Sequence, residues 1–236
     1  MDNVHERPEH RNQKGIFQDR TDAGNHLARM LHPFFANDRN SIVLAIPSGG
    51  VPVGLVLSRR LGLDFDLVLV RKVQIPWNTE AGFGAVAFRG QTLLNRQLMD
   101  SLRLSRDQID EQIEKTRLEL EERNNAFRGG KPLPDLTRKT ALLTDDGLAS
   151  GYTMLAAMEA VRELGAKKVV LALPTAPRRS VEQVAPYADT VYAVQIKEAG
   201  SFAVAEAYRN WRDLSRWEVV QMLPNTSRSP TKPDAS

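Results

Sequence analysis

The chain contains no cysteine, which excludes disulfides, thiolate metal sites and a cysteine nucleophile. It has no apolar run approaching the roughly 18–20 residues that a membrane-spanning helix needs. Residues 1–14 are polar and carry no apolar stretch of the kind a signal peptide has, so a soluble cytoplasmic protein without membrane contact is expected. Aromatic residues make up only 6% of the chain. They do not interleave with a basic patch, so no nucleic-acid partner is expected. The histidines His5, His10, His26 and His32 show no ligand spacing with carboxylates. An excess of one charge is lacking too. Against 32 Lys+Arg stand 29 Asp+Glu, a net charge of +3, which is a weak field despite an isoelectric point near 9.3.

What is present suffices for a core. The chain has 236 residues, 42% of them hydrophobic, enough for one domain with an elaboration. Residues 1–14 and 225–236 read as loose ends, and residues 15–224 as the domain. Asp19 is placed to cap a helix that runs to about His32. The apolar run 42–47 has the length of a buried parallel strand, and a helix follows over 50–61. Residues 66–73 read as a second strand. Residues 74–84, with proline, asparagine and two glycines, read as a loop. Residues 85–88 and 92–95 read as a hairpin. A long charged helix is expected over 105–127, with Ser105 and Gln108 at capping-box spacing. Its apolar stripe is Leu102, Ile109, Ile113, Leu120 and Phe127. Strands at 139–144, 168–173 and 190–194 alternate with helices at 151–164 and 179–185. Ser215 and Glu218 open a last helix. This alternation predicts an α/β, Rossmann-like parallel sheet flanked by helices, with the hairpin and long helix (about 85–128) inserted. Ligands of such sheets bind beyond the C-terminal strand ends. The loops after Pro47, Lys72 and Thr144 therefore carry the functional expectation.

The loop after Thr144 is the most informative stretch: Asp145-Asp146-Gly147-Leu148-Ala149-Ser150-Gly151-Tyr152-Thr153. Two adjacent carboxylates end a buried strand, small residues turn the chain, and a helix begins beside two hydroxyls. A helix N-terminus offers free N–H groups and partial positive charge, which suits a phosphate monoester. Ala149 and Gly151 allow close approach to the backbone. Carboxylates one loop away can accept hydrogen bonds from sugar hydroxyls. By itself, Asp145-Asp146 also fits a metal-binding or phosphoacceptor pair, or turn chemistry. Gly82-Phe83-Gly84-Ala85-Val86-Ala87 fits a dinucleotide pattern only as text, since a loop and hairpin surround it.

The order of hydrophobic strand, Asp-Asp-Gly, small-residue loop, threonine and helix resembles the signature of type I phosphoribosyltransferases. That signature binds 5-phosphoribosyl pyrophosphate (PRPP). Residues 19–24, 46–54, 70–72 and 78–86 are similar to further segments of uncharacterised bacterial and archaeal members of that family, in the same order. The resemblance extends over about 17–223. It implies that Asp145 and Asp146, the expected catalytic pair, hold the ribose hydroxyls, and that Gly147 and Ala149 through Ser150, Gly151, Tyr152 and Thr153 cradle the 5-phosphate. It implies that Ser48 and Gly49 bind pyrophosphate through backbone amides, across a non-proline cis peptide in many members. Arg71 and Lys72 would offset pyrophosphate charge. A loop including Asn78, Glu80 and Gly82 would close over the site, with a small hood above it. Mg²⁺ would be the cofactor, held mainly by substrate oxygens with no protein ligand assigned. The implied reaction transfers the phosphoribosyl group to a nitrogen acceptor and releases pyrophosphate. Many relatives carry Arg or Lys where Ser48 stands, so this chain has one cation fewer there. That keeps an alternative open: a PRPP- or nucleotide-binding sensor without turnover. The charges of the long helix read as a solvated face with the apolar stripe packed on the core, and a homodimer contact there is the alternative.

Overall fold

The computed structural model describes residues 2–198 and 200–223. Among these, six strands form a parallel sheet: β1 (Val4–Glu6), β2 (Ser41–Ala45), β3 (Asp64–Leu67), β7 (Thr140–Thr144), β8 (Lys168–Pro177) and β9 (Thr190–Lys197). Their order is β1-β9-β8-β7-β2-β3. Strands β4 (Val70–Ile75), β5 (Asn78–Ala87) and β6 (Thr92–Leu94) form a separate antiparallel sheet. No helix among the described residues is long and apolar enough to cross a membrane.

The helices divide between the two faces of the parallel sheet. On one lie α1 (Arg20–Phe35) and α2 (Gly50–Leu61), whose Leu27, Leu31, Val53 and Leu57 pack with Val43, Leu142 and Val170. On the other lie α5 (Tyr152–Glu163) and α6 (Arg178–Val184), whose Met154, Val161, Val181 and Val184 pack with Leu44, Leu143 and Leu171. The chain leaves β2 through α2 to β3, and leaves β7 through α5 to β8. Since β2 and β7 are neighbours in register, Leu44 beside Leu143 and Ala45 beside Thr144, the two paths diverge between them. That crevice is the topological switch point of the sheet, where open α/β folds place ligands.

The small sheet is held between α5 and the inserted helices. α4 (Arg106–Arg128) carries the capping box of Ser105 and Gln108. Leu120 and Phe127 bury against Val73, Phe83, Val86 and Phe88, with Ile109 and Ile113 partly buried beside them. Leu102 belongs instead to a short preceding helix, α3 (Arg96–Leu102). The last helix, α7 (Arg216–Met222), is capped by Ser215 and Glu218 and buries Val219 in the same cluster.

Three expectations are corrected. The segment 1–14 is not loose throughout: β1 pairs in parallel with β9, and Arg178 and Arg11 both hold Glu6. The strand expected over 66–73 is two strands. At Val68 and Leu69 the chain changes sheets: Val68 donates to Ala45 at 3.1 Å and Leu69 accepts from Phe88 at 2.8 Å. Both residues are buried, in different clusters, so one apolar run conceals the crossing. The loop expected over 74–84 is a hairpin with a two-residue turn at Pro76 and Trp77. Its glycines are strand glycines. Val73 pairs with Gly84 while Gln74 pairs with Gly82, which leaves Phe83 over as a bulge. A Cβ on Gly82 would lie 2.8 Å from the Val73 carbonyl oxygen. The tail expected over 225–236 lies outside the described residues.

Candidate functional site

The loops that leave β2 and β7 meet above the switch point. After β2 comes a cis peptide between Pro47 and Ser48, and Gly49 then stands at the N-cap of α2. After β7, Thr144 is buried and anchored by its hydroxyl to the Ala172 carbonyl at 2.7 Å. Asp145 turns its carboxylate back on its own loop and accepts from the Asp146 amide at 2.8 Å. Asp146 projects toward the Gly49 backbone, where a Cβ would lie only 1.9 Å from Oδ2. The predicted acids and the predicted pyrophosphate loop are therefore in direct contact.

The rest of the loop closes onto α5. Leu148 donates to the Thr175 carbonyl at 2.9 Å, and Ser180 donates its hydroxyl to the Ala149 carbonyl. Gly151 has φ of 85° and serves as the N-cap of α5 with no side-chain cap, so the amides of the first turn have no side chain of that residue to bond. Ala149 and Ser150 are exposed. Gly147 lies under the Val204 side chain. The Tyr152 side chain points elsewhere, into a groove with Leu93, Leu155 and Tyr187, so its contribution to a phosphate cradle is limited to its backbone. Thr153 follows on the first turn, half-buried.

Electrostatics concentrate on the two acids. Burial pushes the Asp145 carboxyl well above its ordinary range, and the neighbouring Asp146 charge pushes it further. Burial also raises Asp146, but Arg20 opposes the shift. Arg20 Nε lies 2.9 Å from Asp146 Oδ2, and the two side chains are 9% and 14% exposed. Arg20 also donates to the Arg212 carbonyl at 2.8 Å and sits 3.9 Å from the centre of the Trp211 ring. The Tyr208 hydroxyl donates to the Asp146 carbonyl, and burial raises that phenol well above its usual value.

The other predicted residues are placed less simply. Arg71 is on the β4 face turned to α4, where it pairs with Glu119. Lys72 lies on the opposite face, its stem packed against Gly82. Asn78 opens β5, and its side chain accepts from the Ala81 amide at 3.3 Å. Glu80 lies in β5, and its side chain is outside the described residues. Among the described residues no group of three or more His, Cys, Asp or Glu could hold a metal. The oxygen donors present, Asp145 and Asp146, suit a hard cation that keeps most of its ligands from water or substrate, and that fits Mg²⁺ held mainly by a bound phosphate.

Arg20 and Tyr208 fall in stretches that resemble the family, but the sequence assigned no site role to them or to Trp211. One signal was available: an arginine at the first position of a helix opposes the helix dipole and needs another partner. The aromatic residues lie 62 or more positions from the acids, and no spacing rule links them.

Known proteins bear on this arrangement. Residues 15–207 match the sequence profile of the family described as a phosphoribosyl transferase domain. Over 213 residues the chain is 37% identical to a Mycobacterium tuberculosis protein, from strains CDC 1551 and H37Rv, named provisionally as a phosphoribosyl transferase. The match takes in 90% of this chain and 47% of that protein, so the chain spans about half the length of the curated relatives it matches. Among solved structures, TT1426 from Thermus thermophilus superposes with a TM-score of 0.70 at 32% identity, over 87% of this chain and 96% of that one.

Proposed function

The chain belongs to the phosphoribosyl transferase family, and from that premise we propose that it moves the 5-phosphoribosyl group of PRPP to a nitrogen acceptor. The observation that carries this reading is the contact between Asp146 and the Gly49 backbone at the β2–β7 switch point. An acid able to accept from a sugar diol then stands beside a turn whose amides suit pyrophosphate, with the α5 N-terminus one loop away.

In the proposed reaction the nitrogen lone pair of the acceptor forms a bond to C1 of the ribose. The C1–O bond to pyrophosphate breaks, and both of its electrons leave with the pyrophosphate. The nitrogen then releases a proton to solvent or to a carboxylate. The ribose carries oxocarbenium character as the bond breaks, so the chain's part is electrostatic and positional. Asp145 and Asp146 orient the 2- and 3-hydroxyls and place negative charge near the ring. The amides from Ala149 to Thr153 hold the 5-phosphate. Ser48 and Gly49 receive the leaving group, and Lys72 would offset its charge. The β4–β5 hairpin, including Asn78, Glu80 and Gly82, would cover the site and limit water. With PRPP bound, Mg²⁺ held by substrate oxygens and aided by Asp145 or Asp146 would supply charge neutralisation on pyrophosphate.

The test is pyrophosphate release from PRPP and Mg²⁺ across a panel of bases and amines, together with calorimetry of PRPP binding. Asp145→Asn with Asp146→Asn is expected to abolish binding while the chain stays folded. Unchanged PRPP affinity in that variant would refute the reading. Binding without turnover, whatever the acceptor, would favour the sensor alternative that Ser48 suggests.

A further inference from the structure

We propose that Arg20 is the positioning residue of this site: its guanidinium fixes the Asp146 carboxylate in the orientation that receives the ribose hydroxyls, and Trp211 with Arg212 fixes the guanidinium. The inference rests on the PRPP reading above and goes beyond it by assigning a role to α1 and to the segment after β9.

Arg20 is the first residue of α1, where the helix dipole disfavours a cation. It is also almost fully buried, which deprives the charge of water. Packing alone gives no reason for a charged side chain at such a place. The contacts give one. Nε meets Asp146 Oδ2 at 2.9 Å, one terminal nitrogen meets the Arg212 carbonyl at 2.8 Å, and the face of the guanidinium lies 3.9 Å from the Trp211 ring centre. A planar guanidinium held by two hydrogen bonds and an aromatic face has a single orientation. The carboxylate it bonds inherits that orientation. The Tyr208 hydroxyl holds the backbone carbonyl of the same aspartate, so Asp146 is secured at both ends by residues 126 and 62 positions away. An ionised carboxylate accepts about four hydrogen bonds, so the bond from Arg20 and the contact with Asp145 leave capacity for sugar hydroxyls.

The same contacts assign a role to the segment after β9. It packs Tyr208 between Phe17 and Trp211, with ring centres 5.4 and 5.2 Å apart. Asp19, Arg20, Trp211, Arg212 and Leu214 line an open cavity of about 500 Å³, joined to Asp146 through the Arg20 side chain. The segment after β9 therefore supports the residues that hold Asp146.

The experiment is calorimetric titration of PRPP with Mg²⁺ into the full chain and its Arg20→Met and Arg20→Lys variants, with melting followed in parallel. The expected result is a loss of about tenfold or more in affinity for Arg20→Met, the scale of one charge-assisted bond. Arg20→Lys, which keeps the charge and loses the fork, should recover part of it. A purely structural arginine would lower the melting temperature and leave the affinity of the folded protein unchanged, and that result overturns the proposal. Should Arg20→Met fail to fold, Trp211→Leu decides: removing the aromatic face should weaken PRPP binding, and unchanged affinity overturns the proposal. Absence of PRPP binding by the unaltered chain would refute the functional reading itself. Binding by the unaltered chain and Arg20→Met alike would refute only the role of Arg20.

Discussion

A methyl group on Gly49 would lie 1.9 Å from Oδ2 of Asp146, so the loop after β2 and the second acid of the loop after β7 touch with no room between them. Asp146 has little freedom to retreat, because Arg20 holds its carboxylate and Tyr208 its carbonyl. Gly49→Ala should therefore displace one loop or the other. Overpacking of this kind costs about 1–3 kcal/mol, and PRPP affinity should fall by more than about tenfold if the two loops act together. Denaturant melts and calorimetry on the same preparation separate the two effects. Wild-type affinity in Gly49→Ala would mean that the contact is not part of the ligand site.

Arg128 is the cation best protected from water in the insertion, at 4% exposed. It pairs with Asp66 on β3 and donates to the Pro132 carbonyl at 2.6 Å, so it ties the end of α4 to the edge of the parallel sheet. Its Nε is buried without a hydrogen-bond partner in the structure, a cost the other bonds must offset. Arg128→Met would leave Asp66 without its counter-ion, holding only the Leu67 amide, and the Pro132 carbonyl without its donor. Since Asp66 is 28% exposed and can recover some hydration, the expected loss is about 2–4 kcal/mol, at or below the usual cost of breaking a buried pair. Urea unfolding measures it. Affinity for PRPP at low urea should stay within about twofold, because no contact links Arg128 to the acid loop.

The longer helices were legible in the sequence from their periods, and Asp19 and Ser105 start α1 and α4 where expected, whereas the short α3 was not read. Strands β2, β7, β8 and β9 of the parallel sheet were legible as short apolar runs between those helices. The small sheet was misread because its signals are ambiguous. Gly82 and Gly84 mark a bulge in β5 and look like loop glycines, while Val68 and Leu69 hide a change of sheet inside one apolar run. Residues 2–6 gave no hydrophobic cue, since β1 is secured by pairing with β9 and by ion pairs. In the site, the acids and the glycine turn were visible because local chemistry dictates them. The roles of Arg20, Tyr208 and Trp211 were not, because only the tertiary fold brings residues so distant in sequence to Asp146.

The edge strand β1 should come loose in acid. Glu6 is held below its usual 4.5, first by the hydrogen bond from Arg11 and then by Arg178. Glu198 is lowered mainly by Arg178. The four side chains form one cluster, with Arg178 Nε 3.0 Å from Glu198 and a terminal nitrogen 3.3 Å from Glu6. A carboxylate lowered in the folded state stabilises fully above its unfolded pKa and loses that contribution as pH falls through the folded value. Glu6→Gln should therefore cost about 1 kcal/mol near neutrality, since the arginines are partly solvated. The difference from wild type should shrink steadily below 4.5. Melting temperature against pH for both proteins checks this, and parallel curves down to strong acid would contradict it.

Gly151 and Gly165 bracket the same helix with the same backbone demand, φ of 85° and 89°, and they separate stability from function. At either position an L side chain in the left-handed region costs about 1–2 kcal/mol. A Cβ on Gly151 would also sit 3.2 Å from Val184, and one on Gly165 would sit 3.0 Å from the Thr137 hydroxyl. Alanine at either site should thus lower the melting temperature by a similar amount. Only Gly151 borders the loop whose amides are assigned to the 5-phosphate. A shift there moves the first turn of α5, whereas a shift at Gly165 moves the far end of the helix. Gly151→Ala should weaken PRPP binding by about tenfold, the scale of one or two backbone hydrogen bonds, and Gly165→Ala should leave it unchanged. Asparagine tolerates the left-handed region better than alanine, so Gly151→Asn should fall between the two. Equal loss of affinity in Gly151→Ala and Gly165→Ala would show that the helix as a whole, and not its N-terminus, governs binding.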